Sequence, residues 1–255
     1  MSGPRRLSTS TSRDLAAAPS VVLVPFGSTE QHGPHLPLDT DTRIAIAVAD
    51  RVAARHRDVC VAPALAYGAS GEHEGFAGTL SIGQDALELV VIELVRSAGS
   101  EWRAIVLVNG HGGNVEALSR AVMRLRGEGR AVTIWTPRLE GGDTHAGHTE
   151  TSMLLALDPA VVRLDRLERG DPRPLAEILP ALRAGGLRAV TANGILGDPT
   201  TASGEAGEQF LAELVDSLDA VVVALERVDT AAEDATPVRA DASSSVTGTS
   251  AAARR

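Results

Sequence analysis

Ala104-Ile-Val-Leu-Val108 runs directly into Asn109-Gly-His-Gly-Gly-Asn114, and Val115 to Arg126 follows with apolar residues at helical spacing. A short run of branched apolar residues predicts a buried strand, and the glycines after it predict a loop at the strand's carboxyl end. A strand, a loop and a helix in this order are typical of a βαβ unit, which favours a parallel sheet.

The same alternation extends toward both ends of the chain. It predicts further strands at 21–25, 59–65 and 131–136, and helices at about 42–55, 81–98, 149–157 and 204–228. Strands that alternate with helices imply an α/β domain whose mostly parallel sheet is covered on both faces. We place one such domain at residues 20–228, between polar tails at 1–19 and 229–255 whose composition predicts disorder.

The composition excludes several functions. A net charge of −9 argues against a nucleic-acid or anionic-membrane partner. All 24 basic residues are arginine, so the chain has no lysine for a Schiff base or a phosphate-binding P-loop. Cys60 is the only cysteine, which excludes an intrachain disulfide and a cysteine-rich zinc site. Because no apolar run reaches the roughly 18 residues that a membrane helix needs, we expect a cytoplasmic protein.

The segment Glu30-Gln-His-Gly-Pro-His-Leu-Pro-Leu-Asp-Thr-Asp41 is the strongest candidate for a functional site. In an extended loop the side chains of Glu30 and His32 point to the same side. Asp41 comes just before a predicted helix, whose N-terminal dipole lowers the pKa of a carboxyl and keeps it ionised for a metal. The alternative is a turn rich in glycine and proline whose polar groups only satisfy the backbone.

A second candidate loop surrounds His111. Gly110, Gly112 and Gly113 flank this histidine, and glycines let the backbone approach a ligand closely. The backbone N–H groups of Gly112 and Gly113 are candidates to hold an oxyanion of the substrate. A phosphate-binding loop is the alternative, but the spacing differs from G-x-G-x-x-G and no lysine is present to assist.

Two more segments bring histidines and acids together. The first contains His145, His148 and Glu150, although Glu150 could also be an ordinary acid in the first turn of a helix. The second contains Glu72 and His73, which could line a substrate pocket or simply face solvent.

Histidines and carboxylates without a thiolate suit Zn²⁺, Mn²⁺ or Fe²⁺, and do not choose among them. A set rich in carboxylates also allows two ions about 4 Å apart with one carboxylate between them. Because most of the histidines lie in glycine-rich loops, we expect them to meet at the carboxyl edge of the parallel sheet. The sequence therefore predicts a metal site at that edge.

These motifs resemble those of the creatininase family. The family's acid-x-His-Gly-x-His-x-Pro-x-x-x-Asp loop matches Glu30 to Asp41, and its Asn-Gly-His landmark matches Asn109 to Asn114. Its His-Ala-Gly stretch before Glu-Thr-Ser matches His145 to Ser152, so the resemblance covers about residues 20–228. It implies a three-layer αβα sandwich, often hexameric, with two divalent metal ions per subunit for the hydrolysis of C–N bonds in rings or amides.

Carried over to this sequence, the resemblance implies a set of metal ligands. Glu30 would bind one ion together with His111. His32 would bind the other ion, and Asp41 would bridge the two.

The resemblance is incomplete at one ligand. Creatininase itself has a carboxylate two residues after the histidine of the Asn-Gly-His landmark, where this chain has Gly113. The resemblance therefore assigns the missing ligand to Glu150, and proton transfer to the leaving nitrogen to His148 or His145. The departure also argues against creatinine as the substrate.

The loop Ala69 to Ser81, together with Gly197-Asp-Pro199, is most similar to the branch of the family that acts in mycofactocin maturation. Members of that branch are peptidases that release a modified C-terminal dipeptide from a ribosomally made precursor. One alternative is hydrolysis of a small formamide or cyclic amide by the same residues. Outside the enzymes, the alternative is a non-catalytic module that binds metal structurally.

Overall fold

The computed structural model describes residues 3–15, 21–99 and 102–234, and their centre is a four-stranded sheet. The strands follow the order β2-β1-β3-β4, and every pairing between neighbours is parallel. The prediction of a mostly parallel sheet is therefore confirmed. The strands are β1 Val21–Phe26, β2 Val59–Val61, β3 Ala104–Asn109 and β4 Val132–Trp135.

Helices cover both faces of this sheet. The second and seventh helices pack with the fifth on one face, and the third packs with the fourth on the other. This is the three-layer α/β arrangement that the sequence predicts. The helices are α1 Ser12–Leu15, α2 Thr40–Ala53, α3 Gln84–Ser97, α4 Val115–Gly127, α5 His148–Leu157, α6 Leu175–Gly185 and α7 Gly204–Asp234.

The core is divided by the sheet, because successive side chains of a strand point to opposite faces. Val21 and Leu23 of β1 join the cluster under α2 and α7, whereas Val22 and Val24 join the cluster under α3 and α4. Both faces of β1 are buried, which explains why the strand is a continuous apolar run rather than an alternating one.

The structure differs from the predicted elements in two places. The predicted strand 59–65 is regular only over Val59–Val61. Helix α6, Leu175–Gly185, was not predicted, because Pro180 inside it and Pro174 before it are typical of loops.

Part of the segment 1–19, which the composition predicts to be disordered, lies within the described residues. Leu7–Thr9 and Ser12–Leu15 form short helical turns, and the backbone N–H of Val61 donates to the carbonyl of Arg5 at 2.9 Å. Helix α7 continues to Asp234, beyond the predicted end of the domain at 228, whereas residues 235–255 lie outside the described residues. Within the described ranges, the helices are all too short or too polar to cross a membrane.

Candidate metal centre

The histidine-bearing loops meet at the carboxyl edge of the sheet. The paired residues Phe26 and Asn109 end the neighbouring strands β1 and β3, so the loops that follow begin side by side. The first loop carries Glu30 and His32, and the second carries His111. The prediction that distant segments converge at this edge is confirmed by the distances between their side chains.

Two asparagines fix these loops by side-chain-to-backbone hydrogen bonds. The Asn109 amide donates to the carbonyl of His111 at 2.8 Å. The Asn114 amide donates to the carbonyl of Gly27 at 3.0 Å and accepts from the backbone N–H of Ala69 at 2.9 Å. Three separate loops are thereby held against one another.

A glycine lets helix α2 approach the second loop. A Cβ atom on Gly110 would lie 2.6 Å from the carbonyl oxygen of Asp41, closer than any real contact. Only glycine therefore allows the first turn of α2 to lie against the end of β3.

The carboxylate of Asp41 faces two histidines at once. Its Oδ1 lies 3.0 Å from Nε2 of His32, and its Oδ2 lies 3.2 Å from Nδ1 of His111. The Ser28 hydroxyl donates to Oδ2 at 2.7 Å and fixes the orientation of the carboxylate. Each of these four side chains is at least nine-tenths buried. This is the placement expected of a carboxylate between two cation sites.

Glu30 lies on the other side of His111. Its Oε2 is 3.2 Å from Nε2 of His111, and its Oε1 is 3.2 Å from Nε2 of His73. Both carboxylate oxygens are fully buried and make no hydrogen bond with the described residues. A buried carboxylate without hydrogen bonds is strongly destabilising unless a positive charge compensates it. The environment of Glu30 therefore fits a bound cation.

Glu150 lies beside His32 rather than beside His111. Its Oε2 is 3.8 Å from Nε2 of His32 and accepts a hydrogen bond from the backbone N–H of Ala146 at 2.6 Å. Three groups of three residues could each hold a metal ion. In each group every residue offers one ligand atom, and these atoms all lie within 4.8 Å of one another. These groups are Glu30, His73 and His111; Glu30, His32 and His145; and His32, Asp41 and Glu150.

The charges in the cluster require positive counter-charge. Burial opposes a charged His32, but the nearby Asp41 carboxylate outweighs burial and raises the pKa of His32 to about 10. The pKa of His111 is likewise raised, against burial, by Glu30 and Asp41. Burial raises the pKa of Glu150 to about 7. Since a metal ligand must release its proton, a divalent cation would replace protons here.

The two candidate catalytic histidines lie in different surroundings. His145 is buried, and its Nε2 lies 2.9 Å from the carbonyl of Gln31, which can only accept a hydrogen bond. The same Nε2 also lies 3.1 Å from Nε2 of Gln31, and Nδ1 of His145 lies 3.9 Å from Oε1 of Glu30. Burial, followed by the charges of His32 and His73, lowers the pKa of His145 and keeps the ring neutral.

His148 is directed toward Thr201 and helix α7 instead. It begins helix α5, its Nδ1 lies 3.0 Å from the Thr201 hydroxyl, and its ring packs edge-on against Phe210. The structure thus brings His145 into the cluster and places His148 against α7.

The predicted substrate-binding residues also lie in different places. His73 is buried within the cluster, and Glu72 lies beside His111 with Oε1 3.3 Å from its Nε2. Gly112 and Gly113 begin the single 3-10 turn Gly112–Asn114, directly after His111.

Sequence reasoning missed Gln31, which organises the cluster. Its Oε1 accepts from the backbone N–H of Gly33 at 2.8 Å, and its Nε2 donates to the carbonyl of Gly194 at 3.0 Å. The same Nε2 lies 3.1 Å from Nδ1 of His73. The sequence signal that could have identified Gln31 is its position between Glu30 and His32.

A parallel α/β sheet with buried carboxylates and imidazoles at its carboxyl edge defines a protein with a divalent-metal centre. The chain belongs to the creatininase family, whose members are metal-dependent hydrolases of C–N bonds, and the family profile, described as creatinine amidohydrolase, matches residues 5–222. This confirms the family predicted from the motifs.

Individual relatives agree with this assignment. The chain is 58% identical over 218 residues to the "Mycofactocin precursor peptide peptidase" of Mycolicibacterium smegmatis, covering 83% of this chain and 88% of that protein. It superposes on the structure titled "Creatininase Mn" with a TM-score of 0.71 at 29% identity, covering 86% of this chain and 97% of the other. A mutant creatininase of "Zn-Zn type" gives a TM-score of 0.70 at 29% identity, covering 87% and 98%.

Proposed function

We propose that this protein is a divalent-metal-dependent peptidase that releases the modified C-terminal dipeptide of the mycofactocin precursor peptide. The observation that carries the metal-dependent part is the carboxylate of Asp41, which lies within 3.2 Å of both His32 and His111. The 58% identity to a relative named mycofactocin precursor peptide peptidase supports the peptide substrate.

Two divalent ions, Zn²⁺, Mn²⁺ or Fe²⁺, would supply a hydroxide near neutral pH from bound water. Glu30 and His111 would hold one of them, and His32 with Glu150 would hold the other. Asp41 would serve both. The buried oxygens of Glu30, which make no hydrogen bond with the described residues, support this assignment, because a cation would compensate their charge.

His145 is the better candidate for proton transfer. Its Nε2 lies 2.9 Å from the carbonyl of Gln31, and its Nδ1 is directed into the cluster, 3.9 Å from Oε1 of Glu30. From that position His145 would pass the proton to the departing amide nitrogen. Backbone N–H groups of Gly112 and Gly113 lie next to His111, where they could donate to the oxyanion of the carbonyl under attack.

A cavity of about 950 Å³ opens onto the cluster. Its wall includes His111, His145 and Glu150 of the cluster, together with Arg138 and Arg173. This volume lies near the upper end for small-molecule sites, about 300–1,000 Å³, which favours a peptide segment over a small ring. An accessible cavity also supports an enzyme over a closed, structural metal site.

Arginine in this cavity supports a substrate that ends in a carboxylate. Arg173 pairs with Asp171 at 2.5 Å, whereas Arg138 has no hydrogen bond or ion pair with the described residues. A guanidinium forms two parallel hydrogen bonds with a carboxylate. We therefore assign the C-terminal carboxylate of the peptide to Arg138.

The test uses chelator-treated full-length protein, to which Mn²⁺, Zn²⁺ or Fe²⁺ is added separately. The modified precursor peptide, a formamide and creatinine are offered in parallel, and mass spectrometry follows the products. We expect metal-dependent release of the dipeptide. Cleavage of the formamide or creatinine with the peptide left intact would favour the rival amide hydrolase.

The sequence also predicts a cytoplasmic homo-oligomer, with a hexamer implied by the family resemblance. Both remain proposals. Sedimentation of the purified protein would measure the number of subunits.

A further inference from the structure

One carboxylate caps helix α5, whose first turn contains Glu150. Oδ1 of Asp143 accepts a hydrogen bond from the backbone N–H of Thr149 at 3.0 Å, and its Oδ2 accepts from the backbone N–H of His148. These are two of the N–H groups that a helix leaves without an internal partner. Because Gly147 before the helix has no side chain to cap it, Asp143 takes this role from outside the helix.

The Asp143 side chain is itself fixed from several directions. Its backbone N–H donates to the Thr149 hydroxyl at 3.2 Å, so the two residues bind each other reciprocally. Gly147 and Gly197 enclose the carboxylate, because a Cβ atom on either glycine would overlap its Oδ2. The carboxylate therefore lies in a space that only glycine at both positions leaves open.

The loop between Asp143 and α5 leads directly to two members of the cluster. Backbone hydrogen bonds of 2.9 and 3.2 Å pair His145 with Leu196 and fix one end of this loop. Ala146 has a φ of +53°, which a residue with a Cβ atom adopts only where its surroundings hold it. Its backbone N–H donates to Oε2 of Glu150 at 2.6 Å. The loop and the first turn of α5 thus hold each other in place.

The position of this turn matters for the proposed metal centre. Oε2 of Glu150 lies 3.8 Å from Nε2 of His32, and these two residues with Asp41 form one of the groups that could hold an ion. Metal–ligand distances are defined to within about 0.2 Å, so a small shift of the turn would weaken the ion. Asp143 belongs to none of the groups found among the described residues, so it would act on the ion only through Glu150.

We propose that Asp143 is a positioning residue of the metal centre, which holds Glu150 in place by capping α5. The inference rests on the proposed two-ion function and concerns the ion that His32 and Glu150 would bind. Because Asp143 also lines the cavity, direct contact with the substrate is the alternative that the experiment must separate.

The test compares three variants in full-length, chelator-treated protein. Asp143→Asn retains one side-chain oxygen that can accept a hydrogen bond, and Asp143→Ala retains none. Asp198→Asn is the matched control, because Asp198 accepts from the backbone N–H of Thr200 at 3.0 Å and caps the neighbouring 3-10 turn Pro199–Thr201. Isothermal titration with Mn²⁺ and with Zn²⁺ gives the number of ions and their affinities, and circular dichroism measures folding.

We expect Asp143→Ala to weaken one of the two ions by 10–100-fold, the usual effect of losing a residue that supports a metal ligand, and to leave the other ion unchanged. Asp143→Asn should lose less, and Asp198→Asn should bind both ions like the wild type. A merely structural role would weaken both ions together, so the difference between the ions is the decisive measurement.

Two ions bound at wild-type affinity in the folded Asp143 variants would overturn the inference, and so would an equal loss of both. A raised KM for the peptide at unchanged ion affinity would assign Asp143 to the substrate instead. If Asp143→Ala does not fold, Asp143→Asn decides by the same comparison. A wild type that binds fewer than two divalent ions would overturn the two-ion function, and the inference with it.

Discussion

Oδ2 of Asp41 lies 3.2 Å from Nδ1 of His111, although the two residues belong to different strand–loop units. The contact joins the first turn of α2 to the loop after β3. Because Oδ1 of the same carboxylate faces His32, one side chain connects both halves of the proposed metal centre. We therefore expect the proposed metal centre to depend on this carboxylate.

Replacing Asp41 by asparagine tests that dependence. We expect Asp41→Asn to weaken both ions by more than tenfold, since even partners of metal ligands contribute 10–100-fold. Elemental analysis and titration calorimetry measure the loss. Asp39→Asn is the matched control, because Asp39 is half exposed and pairs with Arg43 outside the cluster. Two ions retained at wild-type affinity in Asp41→Asn would contradict the bridging role.

Adjacent glycines give a second, steric test. Alanine at 113 would place a methyl group within 2.4 Å of Glu72, His111 and the carbonyl of Ala69, whereas alanine at 112 meets nothing within 4 Å. Overpacking of this kind costs roughly 1–3 kcal/mol. We expect Gly113→Ala to lower the melting temperature and the metal affinity, with Gly112→Ala close to wild type on both measures. Equal behaviour of the two variants would refute the steric argument.

Mutation distinguishes the roles of the two candidate catalytic histidines. We expect His145→Gln to reduce kcat for dipeptide release by about 10²–10⁴-fold, the usual contribution of general acid–base catalysis. His148→Ala should remain close to wild type, because His148 contacts Thr201 and Phe210 instead. Metal content is measured on both proteins. The reverse pattern of rates, at equal metal content, would assign proton transfer to His148.

The proposed contact between Arg138 and the terminal carboxylate of the substrate can be tested by changing either the protein or the peptide. We expect Arg138→Gln to raise the KM for the precursor peptide about tenfold or more, by loss of a charge-assisted hydrogen bond of roughly 1.5–3 kcal/mol. A precursor with a C-terminal amide should bind wild type and variant equally weakly. If the amidated peptide still distinguishes the two proteins, Arg138 does not act on the terminal carboxylate.

His35 gives a prediction on pH and stability. Burial, together with the charge of His32, lowers the pKa of His35 to about 4, below the ordinary value of 6.5, while its Nε2 lies 2.8 Å from the Thr151 hydroxyl. Between pH 6.5 and pH 4 the unfolded chain binds a proton at this residue that the folded chain does not. The contribution of neutral His35 is therefore complete above pH 6.5 and is lost as pH falls.

The variant His35→Asn removes this titration. We expect the difference in melting temperature between wild type and variant to shrink from pH 7.5 toward pH 5. Thermal unfolding followed by circular dichroism at several pH values measures it. A difference that is constant over this range would contradict the lowered pKa.

The sequence alone determined the α/β fold, the position of Glu30, His32 and His111 in loops after strands, and that of Asp41 at the start of a helix. It could do so because apolar periodicity reports local structure, and because parallel strands bring their carboxyl ends to one edge. The same periodicity did not reveal α6, whose proline content resembles a loop.

Only the tertiary structure decided which of the remaining polar groups belong to the cluster. His145 precedes α5 and pairs with Leu196, so it turns inward, whereas His148 starts the helix and faces α7. Glu72 fills the space beside Gly113 because two loops, distant in sequence, pack together there. Distances across such loops depend on the packing of whole elements, and local sequence patterns carry no record of that packing.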